Sequence, residues 1–540
     1  MAPLAFPACD GSCQTRPNPP SDVVLGAHLE TQRRTPLGFP GGTLGAPGLP
    51  SPRSVSNAVA DQADAGPRQN TRTNLLLIFM GQFIDHDLTL ILADSSRSAN
   101  IPASGDPDDV LGELPFPRSL TDGIDGRFPN VNSAWLNLGN IYGDEEDRCR
   151  ALRADDSEAP GKMLTRIFFG QQEYLPLFSE VENPEDFETD VGPGRDATPI
   201  ECGNFGECRN NAATFACGDP RCNEHLVLLA FTQLFVRNHN RLADLVIDEV
   251  DQGSLSDEDY SRLVFNTARL NNIFTWQKIV FEDWLPKVIG EDGIAILNDP
   301  SGPFARSFDG VGAEPTMDLL FSTAAFRFGH TGLGDTIVQA NNKGKTTKEQ
   351  RLSDLFFSPN ELRQNPNVFH RIFNGLRMTP HEDLDTRFVD SVRNELFGNV
   401  DQPLDLFALN IQRGRDHGLA SFNAYAAERG STQYATFMEL TGGDVAMTET
   451  LNNLYGLDQV DNADMFAAGL AEQKFGDSQL GELFTRVIID QFARIRNADS
   501  FWFEEATDLI EPLSTLAEVI DKNTKAPEVL DGQSDAFLLP

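Results

Sequence analysis

The chain has 540 residues, with 43 Lys+Arg against 81 Asp+Glu, a formal net charge of −38. Hydrophobic residues at 40% and aromatics at 9% make it too apolar for a disordered chain, and no fibrous repeat is present. Such an acidic chain has little positive surface to offer nucleic acid or anionic lipid, and its longest apolar runs, such as Leu75 to Met80, are too short for a bilayer span.

The first 52 residues hold 10 of the 33 prolines, so residues 1–53 are expected to run irregularly over the surface. No basic stretch followed by a long apolar core marks a signal peptide. Residues 54–525 read as one large unit, without internal linker or fixed-period repeat, and residues 526–540 as a tail. Within that unit the apolar residues recur at i, i+3 and i+4, predicting helices over 73–92, 223–248, 260–288, 317–328 and 479–496. Alternating strand patterns are few and short. The fold expected is therefore mainly α, a large single helical domain able to enclose a planar ligand between helices.

The first predicted helix ends in Gly81-Gln82-Phe83-Ile84-Asp85-His86-Asp87-Leu88. Gln82, Asp85 and His86 fall at i, i+3 and i+4 and share one face. Burying an acid and an imidazole there is costly unless each has a partner. By itself the segment also reads as a helix end with a solvated acidic pair.

Seven cysteines follow the chain: Cys9, Cys13, Cys149, Cys202, Cys208, Cys217 and Cys222. The last four lie within 21 residues, which suggests a local disulfide cluster and an oxidising compartment, extracellular or periplasmic rather than cytoplasmic. Zinc is the competing reading, although the spacings match no common zinc pattern. The odd count leaves one thiol free or intermolecular, and no Asn-x-Ser/Thr sequon occurs.

Asp219-Pro220-Arg221-Cys222-Asn223-Glu224-His225 opens the next helix, with Arg221 and Glu224 at i, i+3; taken alone, it is a helix start with a favourable acid in its first turn. Phe321-Ser322-Thr323-Ala324-Ala325-Phe326-Arg327-Phe328-Gly329-His330 ends an apolar helix in a histidine. That histidine is either a satisfied core residue or a metal ligand, and a ligand would want an acceptor on its other ring nitrogen. Gly344-Lys345-Thr346 lacks the first glycine of a phosphate loop, since that position is Gln339, and His381-Glu382 has no second histidine four residues after the first. Ala408-Leu409-Asn410-Ile411-Gln412-Arg413-Gly414-Arg415-Asp416-His417-Gly418 reads by itself as a basic loop paired with local acids.

Taken together, these four segments closely resemble the animal-type haem peroxidases, the superfamily of myeloperoxidase, lactoperoxidase, peroxidasin and peroxinectin. All four occur in family order, and segments between them, such as Asp490-Gln491-Phe492, look familial too. The resemblance implies haem b and the use of hydrogen peroxide to oxidise a small reducing substrate: a halide, thiocyanate, or a phenolic or other organic donor. It implies that His86 is the distal histidine, Gln82 the distal glutamine and Arg221 the distal arginine. Asp85 and Glu224 match carboxylates that form ester bonds to haem methyls. His330 matches the proximal iron ligand, Asn410 the acceptor of its ring N–H, and Arg413 an arginine at a haem propionate.

The same resemblance assigns a calcium site to Asp87, Ser133, Trp135 through its carbonyl, and Asn137. Gly139 stands where the family offers a further side-chain ligand, so calcium is expected to bind weakly or not at all. His225 stands where myeloperoxidase has a methionine bonded to the haem, so that link is absent. Two other functions compete. Fatty-acid dioxygenases of the cyclooxygenase type place a radical-forming tyrosine three residues before the proximal histidine, where this chain has Arg327. An adhesion or matrix protein with an inert peroxidase-like domain would be expected to lose His86 or Arg221, and both are present.

Overall fold

Six consecutive apolar residues, Leu75 to Met80, open a helix that is buried on nearly every side, Leu75–Leu88. A helix apolar all round belongs at the centre of a fold. Its start lies two residues later than the periodicity predicts, because Gln69–Asn74 forms a strand paired antiparallel with Pro380–Glu382. Asn74 then caps the helix, its side-chain oxygen accepting the Leu76 N–H at 3.0 Å. The computed structural model describes residues 30–31, 48–62, 68–121, 128–155, 157–168, 172–181, 214–307, 315–359, 361–362, 365, 367–398, 402–505, 510–524 and 535–540.

Large aromatic rings wrap the central helix. Trp284 lies against Gly81, where a β-carbon would come within 3.2 Å of the indole, and its Nε1 donates to the Leu77 carbonyl at 2.8 Å. Phe83 stacks on Phe231 and Phe235 and meets Trp276 edge-on at 5.3 Å. Phe231 and Phe235 belong to the Leu226–Glu249 helix, which a 3₁₀ turn, Pro220–Asn223, precedes. Trp276 and Trp284 belong to a long rod. The single helix predicted over 260–288 is Asp257–Lys278, a π-helical turn Ile279–Trp284, and Leu285–Leu297. The last piece is broken at Gly290, whose φ of 70° is left-handed. Asp477 re-caps the chain there by accepting the Glu291 and Asp292 amides.

The helix predicted over 317–328 is also in two parts. Leu319–Thr323 is α-helical, Ala324 departs at φ −133°, and Ala325–His330 continues as a 3₁₀ helix. Leu406–Asp416 and Glu482–Ala498 complete the helices that matter for the site. Sheet among the described residues is limited to two-stranded antiparallel pairs. The architecture is thus mainly α and single-domain. No helix among the described residues is long and apolar enough to cross a membrane. Cys217 and Cys222 form a disulfide and Cys149 is disulfide-bonded, whereas Cys9, Cys13, Cys202 and Cys208 lie outside the described residues.

Residues 535–540 lie against the body of the domain. Phe537 is fully buried, Leu538 bridges Thr73, and Asn74 Nδ2 donates to the Ala536 and Leu538 carbonyls at 2.9 Å each. Asn74→Ala removes the cap and strands both carbonyls. It is expected to lower stability by about 2–4 kcal/mol, from a cap of about 1 kcal/mol and about 1–3 kcal/mol for the orphaned groups. Chemical denaturation measures this, and a loss below about 0.5 kcal/mol would show that neither role matters.

Candidate functional site

Period 3.6 puts Gln82, Asp85 and His86 on one face of the central helix, and that face lines a cavity of about 310 Å³. Across the cavity lies the 3₁₀ turn. With three residues per turn, side chains at i and i+3 eclipse, so Arg327 and His330 emerge together. Arg221 and Glu224, from the turn before the Leu226–Glu249 helix, also line the cavity. A second cavity of about 170 Å³ adjoins it, sharing Asp85, Arg221 and Arg327 and reaching Arg413.

On the wall built by the central helix, Arg221 is held by Asp219. Nε donates to Oδ1 at 2.9 Å and Nη2 to Oδ2 at 2.6 Å. Burial opposes the Arg221 charge, but Asp219 keeps its pKa above the ordinary guanidinium value. Burial would likewise raise Asp219, and pairing with Arg221 holds it below the usual carboxylate range. Arg221 Nη2 also donates to the His86 carbonyl at 3.3 Å, as does Asn132 Nδ2, so the helix end is satisfied from outside.

The His86 ring has Nδ1 3.9 Å from Asp219 Oδ1 and Nε2 3.9 Å from Glu224 Oε2. Burial, reinforced by the Arg221 charge, pushes its pKa well below the ordinary 6.5. Burial raises both cavity carboxyls, Glu224 to about 7. Asp85 accepts the Thr89 hydroxyl at 2.8 Å.

His225 forms a relay that fixes Gln82. Its Nδ1 caps the helix by accepting the Leu228 N–H, so Nε2 carries the proton and donates to Gln82 Oε1 at 2.7 Å. Gln82 must then turn its NH₂ outward, and Nε2 lies 3.4 Å from Glu224 Oε2. Burial takes His225 down to about 3, so it stays neutral.

On the opposite wall, His330 Nδ1 lies 2.8 Å from Asn410. The pairing is the one the sequence predicts, but its polarity is reversed. Arg327, which can only donate, claims Asn410 Oδ1 at 2.9 Å, so Nδ2 faces the imidazole and donates to it. An iron-bound His330 needs the carbonyl instead, and a half-turn of this planar amide, whose two ends have the same shape, supplies it. Burial and the Arg327 charge take His330 down to about 3, leaving a neutral imidazole. Arg413 donates to the Ser119 hydroxyl at 2.8 Å and to Asp416 at 3.0 Å.

Asp87 points to the other side of the helix. Its Oδ2 accepts Trp276 Nε1–H at 2.8 Å and the Leu138 N–H at 3.2 Å, and burial pushes it up to about 7. Ser133 and Asn137 lie close by, the Ser133 hydroxyl donating to Asn137 Oδ1 at 3.1 Å, with Trp135 between them in the chain.

A family model described as animal haem peroxidase matches residues 10–537. The chain belongs to the animal haem peroxidase family. A peroxidasin homologue of Caenorhabditis briggsae is 27% identical over 595 residues, covering 98% of this chain and 43% of that protein. The chain therefore spans about two fifths of the length of the first curated relatives it matches. Among solved structures, peroxidase A of Dictyostelium discoideum matches with a TM-score of 0.78 at 24% identity, over 99% of both chains. The fatty acid alpha-dioxygenase of Oryza sativa matches with a TM-score of 0.75 at 16% identity, over 99% of this chain and 87% of that one. Those likenesses are of fold.

The residues present fit the haem of an animal haem peroxidase. A neutral histidine stands on each wall, and three guanidinium groups, Arg221, Arg327 and Arg413, line the adjoining cavity, cations of the kind that the acidic side chains of a haem would need. Three residues beside the cavity escaped sequence reasoning. The family resemblance gives Asp219 no role, makes His225 only the absence of a haem link, and makes Arg327 only the absence of a tyrosine. Their geometry is the only signal: each acts by hydrogen-bonding another residue of the site.

Asp219→Ala leaves the Arg221 charge buried and uncompensated. It is expected to destabilise the fold by about 3–5 kcal/mol. Equilibrium unfolding tests this, and a change under about 1 kcal/mol would mean that water already solvates Arg221.

Proposed function

We propose that this chain is a haem peroxidase, using hydrogen peroxide to oxidise a small reducing substrate. The observation that carries the reading is that His86 and Arg221 line one cavity with His330 on its far wall. When bound, the haem would supply redox-active iron for the reaction with peroxide. His330 would hold it, with Asn410 orienting the ring.

His86, kept neutral by burial, takes the proton of the near peroxide oxygen and passes it to the far one. Each ring nitrogen lies 3.9 Å from a carboxylate oxygen, Nδ1 from Asp219 and Nε2 from Glu224, so no hydrogen bond keeps the imidazole from accepting that proton. Arg221 is anchored through Nε and Nη2, and among the described residues no hydrogen bond uses Nη1. That nitrogen is the donor for the negative charge growing on the departing oxygen. Asp85 and Glu224 are the carboxyls for ester bonds to the haem. Such bonds withdraw electrons and favour a halide as reducing substrate, with Gln82 turned NH₂-outward toward it. Thiocyanate and phenols are the other donors of this chemistry. The Cys217–Cys222 disulfide supports an oxidising compartment.

Likeness to a fatty-acid dioxygenase does not extend to the chemistry. Arg327 occupies the tyrosine position, and no tyrosine is among the described residues lining either cavity. An inert adhesion domain has no use for a neutral base beside an anchored guanidinium.

Purified protein supplied with haem is expected to absorb at the Soret band and oxidise a phenolic dye with peroxide; a colourless preparation would favour adhesion. His330→Ala should lose both pigment and turnover. His86→Ala should keep the pigment and lose about 10²–10⁴ in rate. Because the folded pKa of His86 lies well below 6.5, the neutral base persists as pH falls through 6.5. The acid limb of kcat/KM for peroxide is therefore expected well under pH 6.5, and a limb at 6.5 or above would refute a buried base. Asp85→Ala with Glu224→Ala should release haem on denaturation, where the wild type retains it. Steady-state rates with chloride, bromide, iodide and a phenol test the donor, and absence of halide turnover would overturn the halide preference.

A further inference from the structure

Gly139 leaves the calcium loop one side-chain ligand short, and a carboxylate from elsewhere occupies the empty place. After one helical turn, Gly139–Tyr142, the chain reverses at Gly143, whose φ of 85° is left-handed. The reversal brings Asp144 back over Gly139. A β-carbon at position 139 would lie 2.3 Å from Asp144 Oδ1 and 2.9 Å from Oδ2. A side chain at 139 and this placement of Asp144 are therefore mutually exclusive. The space a side chain at 139 would take is filled by the Asp144 carboxylate.

Two further observations point to a cation. Asp87 is 0% exposed, and both its Oδ1 and Asp144 Oδ1 are buried without a hydrogen-bond partner. The two carboxyls lie close enough to repel one another. Among the described residues no Lys, Arg or His forms an ion pair with either. Buried carboxylates in this position demand a counter-charge. Around them lie the Ser133 hydroxyl and the Asn137 amide, whose Nδ2 is also unpartnered and whose turning would present its oxygen. No group of three or more His, Cys, Asp or Glu is gathered among the described residues, so the remaining ligands must be neutral oxygens. An all-oxygen set carrying two charges suits calcium rather than zinc.

We propose that Asp144 is a ligand for a calcium ion held also by Asp87, the Ser133 hydroxyl, the Trp135 carbonyl and Asn137, in place of a side chain at position 139. The assignment of the loop rests on family membership, and Asp144 on the geometry of this chain. It does not need the peroxidase reading. The ion balances the buried charge and fastens the end of the helix that carries His86.

The test measures metal, not turnover. Haem-loaded protein equilibrated with excess calcium and desalted is expected to retain one calcium per chain by elemental analysis, and to unfold at a lower temperature after EGTA treatment. Asp144→Asn should lower calcium affinity on the order of 100-fold by titration calorimetry, because the charge count of the ligands sets affinity. In EGTA the variant should be at least as stable as wild type, since one buried charge is gone. Asp144→Gly should also lose affinity, and adding Gly139→Ser to it should restore part of it, because the obstruction at 139 is then removed. Calcium-free wild type under these conditions, or Asp144→Asn with unchanged affinity, would overturn the proposal. Protein that takes up no haem when supplied with it, yet binds calcium through Asp144, would sink only the peroxidase reading.

Discussion

Polar groups on a helix through the middle of a protein must find partners, and the Leu75–Leu88 helix has five of them near its end: Gln82, Asp85, His86, Asp87 and the His86 carbonyl. The rest of the structure answers that requirement. Three side chains face the cavity, Asp87 faces the Ser133–Asn137 loop, and the carbonyl is met by Arg221 and Asn132. The same hydrogen bond that satisfies the helix end also places the guanidinium beside the imidazole. Stability and chemistry are therefore not separable here. A charge that would be intolerable alone is tolerable because Asp219 grips it on two nitrogens.

The two walls are made by different helical geometries, for a physical reason. An α-helix spreads Gln82, Asp85 and His86 over one broad face, wide enough for a base, an acid and an amide. A 3₁₀ turn stacks Arg327 over His330, so that one residue constrains the partner of the other. Behind each wall a second set of contacts fixes orientation: His225 for Gln82, and Asn410 for His330. Every imidazole that touches the cavity is driven neutral by burial. That is the form both a base and a metal ligand need.

Much of this was legible in the sequence. Long periodic segments gave the helices of the core, and spacing alone put Gln82, Asp85 and His86 on one face. Family resemblance then joined His86, Arg221 and His330, which the fold brings into one cavity. Other features were hidden for definable reasons. Apolar periodicity over ten residues does not separate an α-helix from an α-helix that tightens to 3₁₀ at Ala324, so the predicted helix 317–328 ran straight through the break. The strand ahead of Asn74 is fixed by a partner more than three hundred residues away, which no local pattern reports. Asn410 lies beside His330, but which end of its amide faces the ring depends on Arg327, a neighbour only in space. The approach of Asp144 to Gly139 is invisible in the sequence because it depends on the turn at Gly143.

The clasp at the other end of the central helix has its own consequence. Asn74 holds the carbonyls of Ala536 and Leu538, 462 and 464 residues further along the chain. Contacts of such separation form late. Until residues 536–538 are in place, the N-terminal end of the helix bearing His86 lacks this clasp. A chain cleaved after Thr524 would therefore keep every residue lining the two cavities and yet lose this clasp.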